Sequence, residues 1–159
     1  MAIMARMTKY TTKLTEGKRI ILEKEVSINY PGETFIIRSP EDAANIGKNQ
    51  LHIHEESEEY MHMICLNTKN RVIGVFEISH GNVNSSIVGT REIFQKALLA
   101  NAVSIILMHN HPSGDPNPSR EDIEVTKRIV EAGKILGVEV LDHLVIGDQY
   151  VSLKEKGHM

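Results

Sequence analysis

The sequence predicts an α/β fold in which a mixed β-sheet is flanked by helices. Short apolar runs that are typical of buried strands alternate with longer segments in which apolar residues recur every three or four positions, as in amphipathic helices. Helix-start and helix-end signatures frame the longer segments. A chain of 159 residues with 41% hydrophobic and 25% charged residues can form one globular domain with a substantial core.

The N-terminal part of the chain, residues 1–37, is expected to be a tail followed by edge strands. Residues 1–8 are expected to be disordered. The segment 19–30 alternates between apolar and polar residues and predicts a strand. A turn at Pro31 and Gly32 then predicts a hairpin with a second short strand over residues 34–37.

The main domain, residues 38–159, begins with a helix signature. Ser39 can cap a helix over residues 40–51, in which proline stands at the first helical position and acidic residues follow. The apolar segment 60–66 predicts a strand that is buried on both faces. A short polar loop follows, and the apolar segment after it predicts a second strand over residues 72–78, so that the two strands form a hairpin.

The second half of the domain continues the alternation of helices and strands. A helix is predicted over residues 90–101 and a strand over residues 103–108. Ser119 caps a long helix that Gly137 ends as a C-terminal cap. The segments that follow predict a strand and a closing hairpin: residues 138–141, 143–146 and 149–153.

Charge and cysteine content exclude several classes of protein. The formal net charge of −3 gives no global attraction to nucleic acid. Cys65 is the single cysteine, which excludes an intrachain disulfide and suits a reducing cytoplasm. The first ten residues lack the apolar core of a signal peptide, and no apolar run is long enough to span a bilayer. We therefore expect a cytoplasmic protein.

Two histidines at the end of the strand over residues 103–108 predict a metal site. His109 and His111 are two residues apart, so an extended backbone points both imidazoles to the same side. A loop rich in proline and glycine leads to Ser119 and Asp122, which share one face of the first helical turn. Two imidazoles, one carboxylate and one open position describe a catalytic metal site.

The third ligand is not fixed by spacing alone. Ser119 and Asp122 also match a capping box, in which the acid accepts a hydrogen bond from the serine's backbone N–H. The two roles are partly compatible, because the serine can cap the helix while the acid turns outward. Asp115, Glu121 and Glu124 are alternative carboxylate ligands.

Other histidines and the cysteine have simpler interpretations. His52 and His54 form a second pair two residues apart. They lie beside an acidic run and are expected to be surface histidines. Cys65 lies on a predicted buried strand and is expected to be a core residue. His143 follows Asp142 and is either a core histidine or a residue that orients a metal ligand.

A catalytic metal site also needs a general base near the attacking water. Glu77 is the predicted base. It alternates with Ile73 and Val75 on an apolar strand, so burial is expected to raise its pKa into a useful range. The simpler alternative is an acid at an exposed strand end.

The motif His109-x-His111-x7-Ser119-x2-Asp122, with an upstream glutamate, resembles the JAMM metal-binding signature of the JAB/MPN metalloprotease superfamily. The segments HNHPSGDPNPS and DHLVIGDQYVS, with GTREIFQKAL and LNTKNRVIGVFEIS upstream, are similar to its bacterial RadC-type branch. The resemblance covers about residues 38–155. It implies a JAB-type α/β fold similar to that of cytidine deaminases, so residues 38–159 are expected to form a RadC-like JAB/MPN domain.

The resemblance also implies roles for individual residues. By that resemblance His109, His111 and Asp122 bind Zn²⁺, and Glu77 is the catalytic acid and base. Ser119 helps to hold the oxyanion or the water. The expected function is a zinc-dependent hydrolase of the peptidase or isopeptidase type, acting on a peptide or protein substrate.

Two other functions remain open at this stage. RadC-type proteins usually carry an N-terminal helix-hairpin-helix segment suited to DNA, whereas the residues before position 38 read as strands and a tail. The first alternative is therefore a non-catalytic, DNA-repair-associated module that keeps the metal for structure and binds DNA or a partner. The second is a non-haem iron enzyme, since two histidines and one carboxylate also form a facial triad.

Overall fold

The computed structural model describes residues 4–31, 35–81 and 88–159. Within these residues seven strands and three α-helices follow one another along the chain. In chain order they are β1 (Met4–Leu14), β2 (Ile20–Pro31), α1 (Pro40–Asn49), β3 (Tyr60–Leu66), β4 (Val72–His80), α2 (Thr90–Leu99), β5 (Ser104–Asn110), α3 (Arg120–Leu136), β6 (Glu139–Ile146) and β7 (Tyr150–Ser152).

The described strands form one sheet in the order β2-β1-β4-β3-β5-β6-β7. The pairs β1/β4 and β5/β6 are parallel, and the other neighbouring pairs are antiparallel. The predicted mixed sheet is therefore confirmed. The parallel pair β5/β6 is joined through α3, as expected for a crossover connection.

The helices cover both faces of the sheet. On one face, Ala43 and Ile46 of α1 pack with Ile106 and Met108 of β5. On the other face, Ile93 of α2 and Val125 and Ile129 of α3 belong to a second apolar cluster that includes Leu107 of β5. Successive residues of β5 therefore point alternately towards α1 and towards α3. This alternation decides which side chains can reach a site at the end of β5.

Most elements of residues 38–159 agree with the sequence. Ser39 and Ser119 both cap helices through complete capping boxes, and Gly137 ends α3 with a φ of 71°. The predicted strands over residues 138–141 and 143–146 form one continuous strand, β6, because Asp142 is held inside the sheet by hydrogen bonds. Among the described residues, no helix is both long and apolar enough to cross a membrane.

The N-terminal prediction is partly wrong. The strand over residues 19–30 is confirmed as β2, but much of the expected tail belongs to β1, which pairs with β2 along its whole length. The expected hairpin partner, residues 34–37, contributes only an isolated bridge between Ile36 and Arg71. Part of that segment and the predicted turn at Gly32 lie outside the described residues. The division of the chain after residue 37 stays a prediction.

Candidate metal centre

Three side chains that the sequence nominated as ligands converge where β5 ends and α3 begins. His109 lies near the C-terminal end of β5, His111 follows the strand, and Asp122 lies in the first turn of α3. One ligand atom from each residue lies within 4.8 Å of the other two. His109 is fully buried and Asp122 is 6% exposed, whereas His111 remains partly accessible. The group could hold a metal ion that solvent reaches from one side.

The donor atoms are close enough to share one ion. The Nε2 atoms of His109 and His111 lie 3.1 Å apart. The Oδ1 atom of Asp122 lies 3.3 Å from Nε2 of His109, and Oδ2 lies 3.4 Å from Nε2 of His111. Two imidazole nitrogens and a carboxylate form a donor set that suits zinc and several other divalent metals.

The capping box and the ligand role of Asp122 coexist. The backbone N–H of Ser119 donates to Oδ2 of Asp122 at 2.7 Å, and the backbone N–H of Asp122 donates to Oγ of Ser119 at 3.1 Å. The carboxylate is thereby fixed on the helix while both oxygens still face the histidines. The Ser119 hydroxyl accepts in this contact, so its own proton is left for another acceptor.

Electrostatics hold Asp122 ionised. Burial pushes its pKa up, but hydrogen bonds with His109 and His111 hold the pKa well below its usual value. Its hydrogen bond to His111 raises the pKa of that imidazole, against burial, which lowers it. The negative charge of Glu59 adds to the rise. The group therefore favours a bound cation.

The hydrogen bonds of His111 leave Nε2 as its metal-binding atom. Its Nδ1 atom lies 2.8 Å from the backbone carbonyl oxygen of Asp115. A carbonyl oxygen only accepts, so Nδ1 carries the proton and the neutral ring has a lone pair on Nε2. Nε2 faces His109 and Asp122, where a bound metal ion would take its lone pair and where, without one, a proton on Nε2 bonds to Asp122. The donor chemistry of the site thus fits a metal ion.

His109 is supported from behind by a second buried histidine. Its Nδ1 atom lies 2.8 Å from Nε2 of His143, and Nδ1 of His143 lies 2.6 Å from Oγ1 of Thr126. His143 and Thr126 are both fully buried. Burial holds the pKa of His143 well below its usual value, and the neighbouring His109 adds to this effect, so the ring is neutral.

Asp142 fixes the backbone that carries His143. Its Oδ1 atom accepts from the backbone N–H of His143 at 2.7 Å and from that of Lys154 at 3.2 Å. Its Oδ2 atom accepts from the Ser152 hydroxyl at 2.6 Å. Asp142 is 5% exposed and has donors on both side-chain oxygens, so its hydrogen bonds are satisfied within the fold and its role is structural.

A cavity of about 340 Å³ opens beside the accessible side of the site. Its walls include His111, Ser119, Asp122, Glu59 and Glu121. Met61 pairs with His109 across the antiparallel β3/β5 ladder, so continuing that register two residues places Glu59 opposite His111. A half-buried carboxylate therefore shares this cavity with two of the candidate ligands.

Asn110, the residue between the two histidines, holds the segment that carries Glu59. Its Oδ1 atom accepts from the backbone N–H of Tyr60 at 2.6 Å, and its Nδ2 atom donates to the backbone carbonyl of Glu58 at 2.9 Å. The amide side chain is 1% exposed. One buried side chain thus grips the backbone on both sides of Glu59.

The structure does not bring Glu77 to the candidate ligands. In β4 it is two residues from Val75, which belongs to the apolar cluster on the α1 face, and it pairs with His62 of β3. His109 points to the α3 face. Glu77 instead lies 3.3 Å from Nζ of Lys9 and 3.2 Å from Nδ1 of His80. This position argues against the predicted role of Glu77 as the base.

The alternative carboxylate ligands lie outside the group. The side chain of Asp115 accepts from the backbone and side-chain amides of Asn117. Glu124 pairs with Arg120 at 3.0 Å. Glu121 lines the cavity but is not part of the three-residue group.

The remaining histidine pair and the cysteine agree with their simpler interpretations. His52 and His54 are exposed and contact Glu55. Cys65 is fully buried, and burial raises the pKa of its thiol to about 12, so it is not a reactive thiolate.

The loop that carries His111 is packed against the turn between β6 and β7. The backbone N–H of His111 donates to the carbonyl of Ile146, and that of Asp148 donates to the carbonyl of Gly114, both at 2.8 Å. A Cβ atom on Gly147 would collide with the carbonyl of Gly114. The two loops are therefore held in direct backbone contact.

Sequence reasoning missed Glu59, Asn110 and Thr126. Glu59 ends an acidic run that reads as a solvated loop, although it directly precedes the buried strand β3. An antiparallel pairing of β3 with β5 would have indicated Glu59. In such a pairing the residue before β3, Glu59, lies opposite the residue after β5, His111. Thr126 stands one helical turn after Asp122 and therefore lies on the same helix face as this ligand. This spacing could have indicated its place beside the site.

Comparisons with known proteins agree with this geometry. The family model described as "RadC-like JAB domain" matches residues 37–158. The chain is 47% identical over 156 residues to a UPF0758 protein of Caldanaerobacter subterraneus subsp. tengcongensis, and 48% identical over 159 residues to UPF0758 proteins of Bacillus cereus and Bacillus anthracis. These matches cover 98% of the chain but only 64% to 66% of the relatives, so the chain spans less than two thirds of their length.

Proposed function

Because the chain belongs to the RadC-like JAB domain family, we propose that it is a zinc-dependent hydrolase of the peptidase or isopeptidase type. The observation that carries the proposal is the convergence of His109, His111 and Asp122 within 4.8 Å beside a cavity that Glu59 also lines. Family membership supports a JAB/MPN-type fold but does not establish a substrate.

Zinc is the proposed metal. Nε2 of His109, Nε2 of His111 and a carboxylate oxygen of Asp122 would hold it, leaving the side towards the cavity open. When bound, zinc lowers the pKa of a coordinated water to about 7 and polarises a scissile carbonyl. The non-haem iron alternative uses the same donor set, so metal analysis of protein purified without chelators distinguishes the two.

Glu59 is the proposed general base, in place of Glu77. Its carboxylate accepts a proton from the attacking water and passes the proton to the leaving amine nitrogen. Its half-buried position and its electrostatic effect on His111 support this role. The backbone grip of Asn110 limits the movement of Glu59 relative to the metal ligands.

Ser119 is proposed to stabilise the developing oxyanion. Its Oγ atom already accepts from the backbone N–H of Asp122, so its hydroxyl proton is available to a substrate oxygen in the cavity. Removing one oxyanion donor has cost about 3 kcal/mol of transition-state stabilisation in other enzymes.

The charge around the site supports a peptide substrate over nucleic acid. Glu58, Glu59 and Glu121 line this cavity or the one adjoining it. Nucleic-acid binding depends on basic side chains that neutralise the phosphates. The acidic side chains at this site would instead repel the phosphates. A DNA-binding module with a structural metal remains the alternative to be tested.

A paired substitution tests the proposed function. Glu59→Gln should keep the metal stoichiometry and lose hydrolysis of fluorescence-quenched peptides and of a Lys-ε-linked isopeptide. Glu77→Gln is the matched control and should retain turnover, since that carboxylate lies on the other face of the sheet. Salt-sensitive DNA affinity that survives Glu59→Gln, with no cleavage by the wild-type chain, would support the alternative.

A further inference from the structure

A buried chain of hydrogen bonds runs from α3 through β6 to the first candidate ligand. It links the hydroxyl of Thr126, the two ring nitrogens of His143 and Nδ1 of His109. We propose that His143 and Thr126 are positioning residues that fix the tautomer of His109, so that its unprotonated Nε2 faces the metal site.

The direction of each hydrogen bond follows from Thr126. Its hydroxyl has a single proton, which it donates to the backbone carbonyl of Asp122 at 2.6 Å. The contact with Nδ1 of His143, also 2.6 Å, must then be donated by the imidazole. The ring of His143 is fully buried and, among the described residues, its two nitrogens bond to a hydroxyl and an imidazole and to no carboxylate, so burial favours the neutral ring. Its Nε2 then presents a lone pair, and His109 donates its Nδ1–H to that lone pair.

The consequence is that both ligand histidines have the same tautomer. The Asp115 carbonyl holds the proton of His111 on Nδ1, and His143 does the same for His109. With both rings neutral, two Nε2 lone pairs would face each other at 3.1 Å, so the site needs a cation there: a metal ion or, without one, a proton on Nε2 of His111 that bonds to Asp122. The tautomers thus prepare the site for a metal ion.

Burial makes the chain of contacts difficult to replace. His109, Thr126 and His143 are all fully buried, so bulk water cannot substitute for a lost partner. Thr126 also belongs to the helix that supplies Asp122, one turn further along. The same helix therefore provides one ligand and orients another through His143. The inference rests on the metal site of the proposed function but not on its hydrolytic activity.

Nitrogen-15 NMR of the imidazole rings in the full chain tests the inference directly. We expect His109 to carry its proton on Nδ1 with and without Zn²⁺, and His111 to lose any proton on Nε2 when Zn²⁺ binds. A wild-type chain in which His109 carries its proton on Nε2 would overturn the inference, and this measurement needs no variant.

Metal affinity provides the second readout. Thr126→Val removes the hydroxyl at nearly constant volume and should weaken zinc binding about 10- to 100-fold in competition with a chelator, as seen when orienting partners of metal ligands are removed elsewhere. Thr126→Ser, which keeps the hydroxyl, should restore the affinity. Thr8→Val is the matched control, because Thr8 is also buried but contacts Ser27 on the N-terminal hairpin.

The two proposals fail separately. If Thr126→Val left both the zinc affinity and the His109 tautomer unchanged, Thr126 would not be a positioning residue for His109. A wild-type chain that shows the expected tautomers and binds zinc, yet hydrolyses no peptide, would contradict the proposed function and leave this inference standing.

Discussion

The side-chain Oδ1 atom of Asn110 lies 2.6 Å from the backbone nitrogen of Tyr60, so the residue between the two ligand histidines also fixes the start of the neighbouring strand. Residues on either side of Asn110 point towards the candidate metal site. Asn110 itself turns the other way and holds the segment that carries Glu59. The metal ligands and the proposed base are therefore joined through one buried amide.

Asn110→Ala should uncouple metal binding from hydrolysis. Removing the amide leaves the Tyr60 N–H and the Glu58 carbonyl without this partner, which is expected to lower the free energy of unfolding by about 1–3 kcal/mol. Zinc stoichiometry should persist while turnover falls. Asn67→Ala is the control, since its Oδ1 also accepts from two backbone N–H groups but lies in the exposed β3/β4 hairpin. Equal turnover in the two variants would contradict the prediction.

Zinc should stabilise the folded chain through the three ligands. Free zinc at about 100 times its Kd is expected to add about 2.7 kcal/mol to the free energy of unfolding, and a chelator should remove this increment. His111→Ala should abolish the zinc-dependent rise in Tm. His54→Ala, which removes an exposed imidazole near Glu55, should behave as the wild type. Zinc-dependent stabilisation that survives His111→Ala would place the ion elsewhere.

His62 should make the chain less stable in acid. Burial lowers the pKa of this 5% exposed imidazole from 6.5 to about 4, and its Nδ1 has no hydrogen-bond partner among the described residues. The unfolded state therefore binds more protons between pH 6.5 and pH 4, so stability is present above that window and is lost as the pH falls through it.

The size of this effect can be measured by denaturation at two pH values. On lowering the pH from 8 to 5, the free energy of unfolding should fall in both proteins, but by about 2 kcal/mol less in His62→Phe than in the wild type, because only the wild type has an imidazole whose pKa is lowered from 6.5 to about 4. His52→Gln changes an exposed histidine and should follow the wild type. Parallel losses in wild type and His62→Phe would show that His62 titrates normally in the fold.

Gly147→Ala should destabilise the chain and weaken the metal site together. The added Cβ would meet the carbonyl of Gly114 in the loop that carries His111, and backbone cannot move aside as a flexible side chain can. We expect a loss of at least about 2 kcal/mol in thermal unfolding and a lower zinc affinity. Gly17→Ala, where the nearest heavy atom is 3.9 Å away, is the neutral control.

Much of the fold could be predicted because local signals were strong. The apolar run of β3 and the capping boxes at Ser39 and Ser119 mark their elements within a few residues. β1 was missed because its sequence is rich in Thr and Lys and resembles a solvated tail. Its structure depends on pairing with β2, a partner that propensity within β1 does not reveal.

The three candidate ligands could be nominated from spacing, whereas the position of the base could not. Alternation along β4 shows that Glu77 shares a face with Val75, but it does not show which face of the sheet that is. The structure resolves this, since Val75 faces α1 and His109 faces α3. Glu59 depends in the same way on the pairing of β3 with β5.

The contact between Gly114 and Gly147 limits how this site could be transplanted or diversified. A designer who grafts the His-x-His loop onto another scaffold must also carry over the β6–β7 turn, because each loop occupies space that the other would need for a side chain. In a mutational library, substitutions at Gly147 should be rejected because the blocking atoms are backbone, and substitutions at Gly114 should be strained by its φ of 84°. The loop that carries His111 and the β6–β7 turn therefore have to be transferred together, although only the first of these two segments contains a ligand.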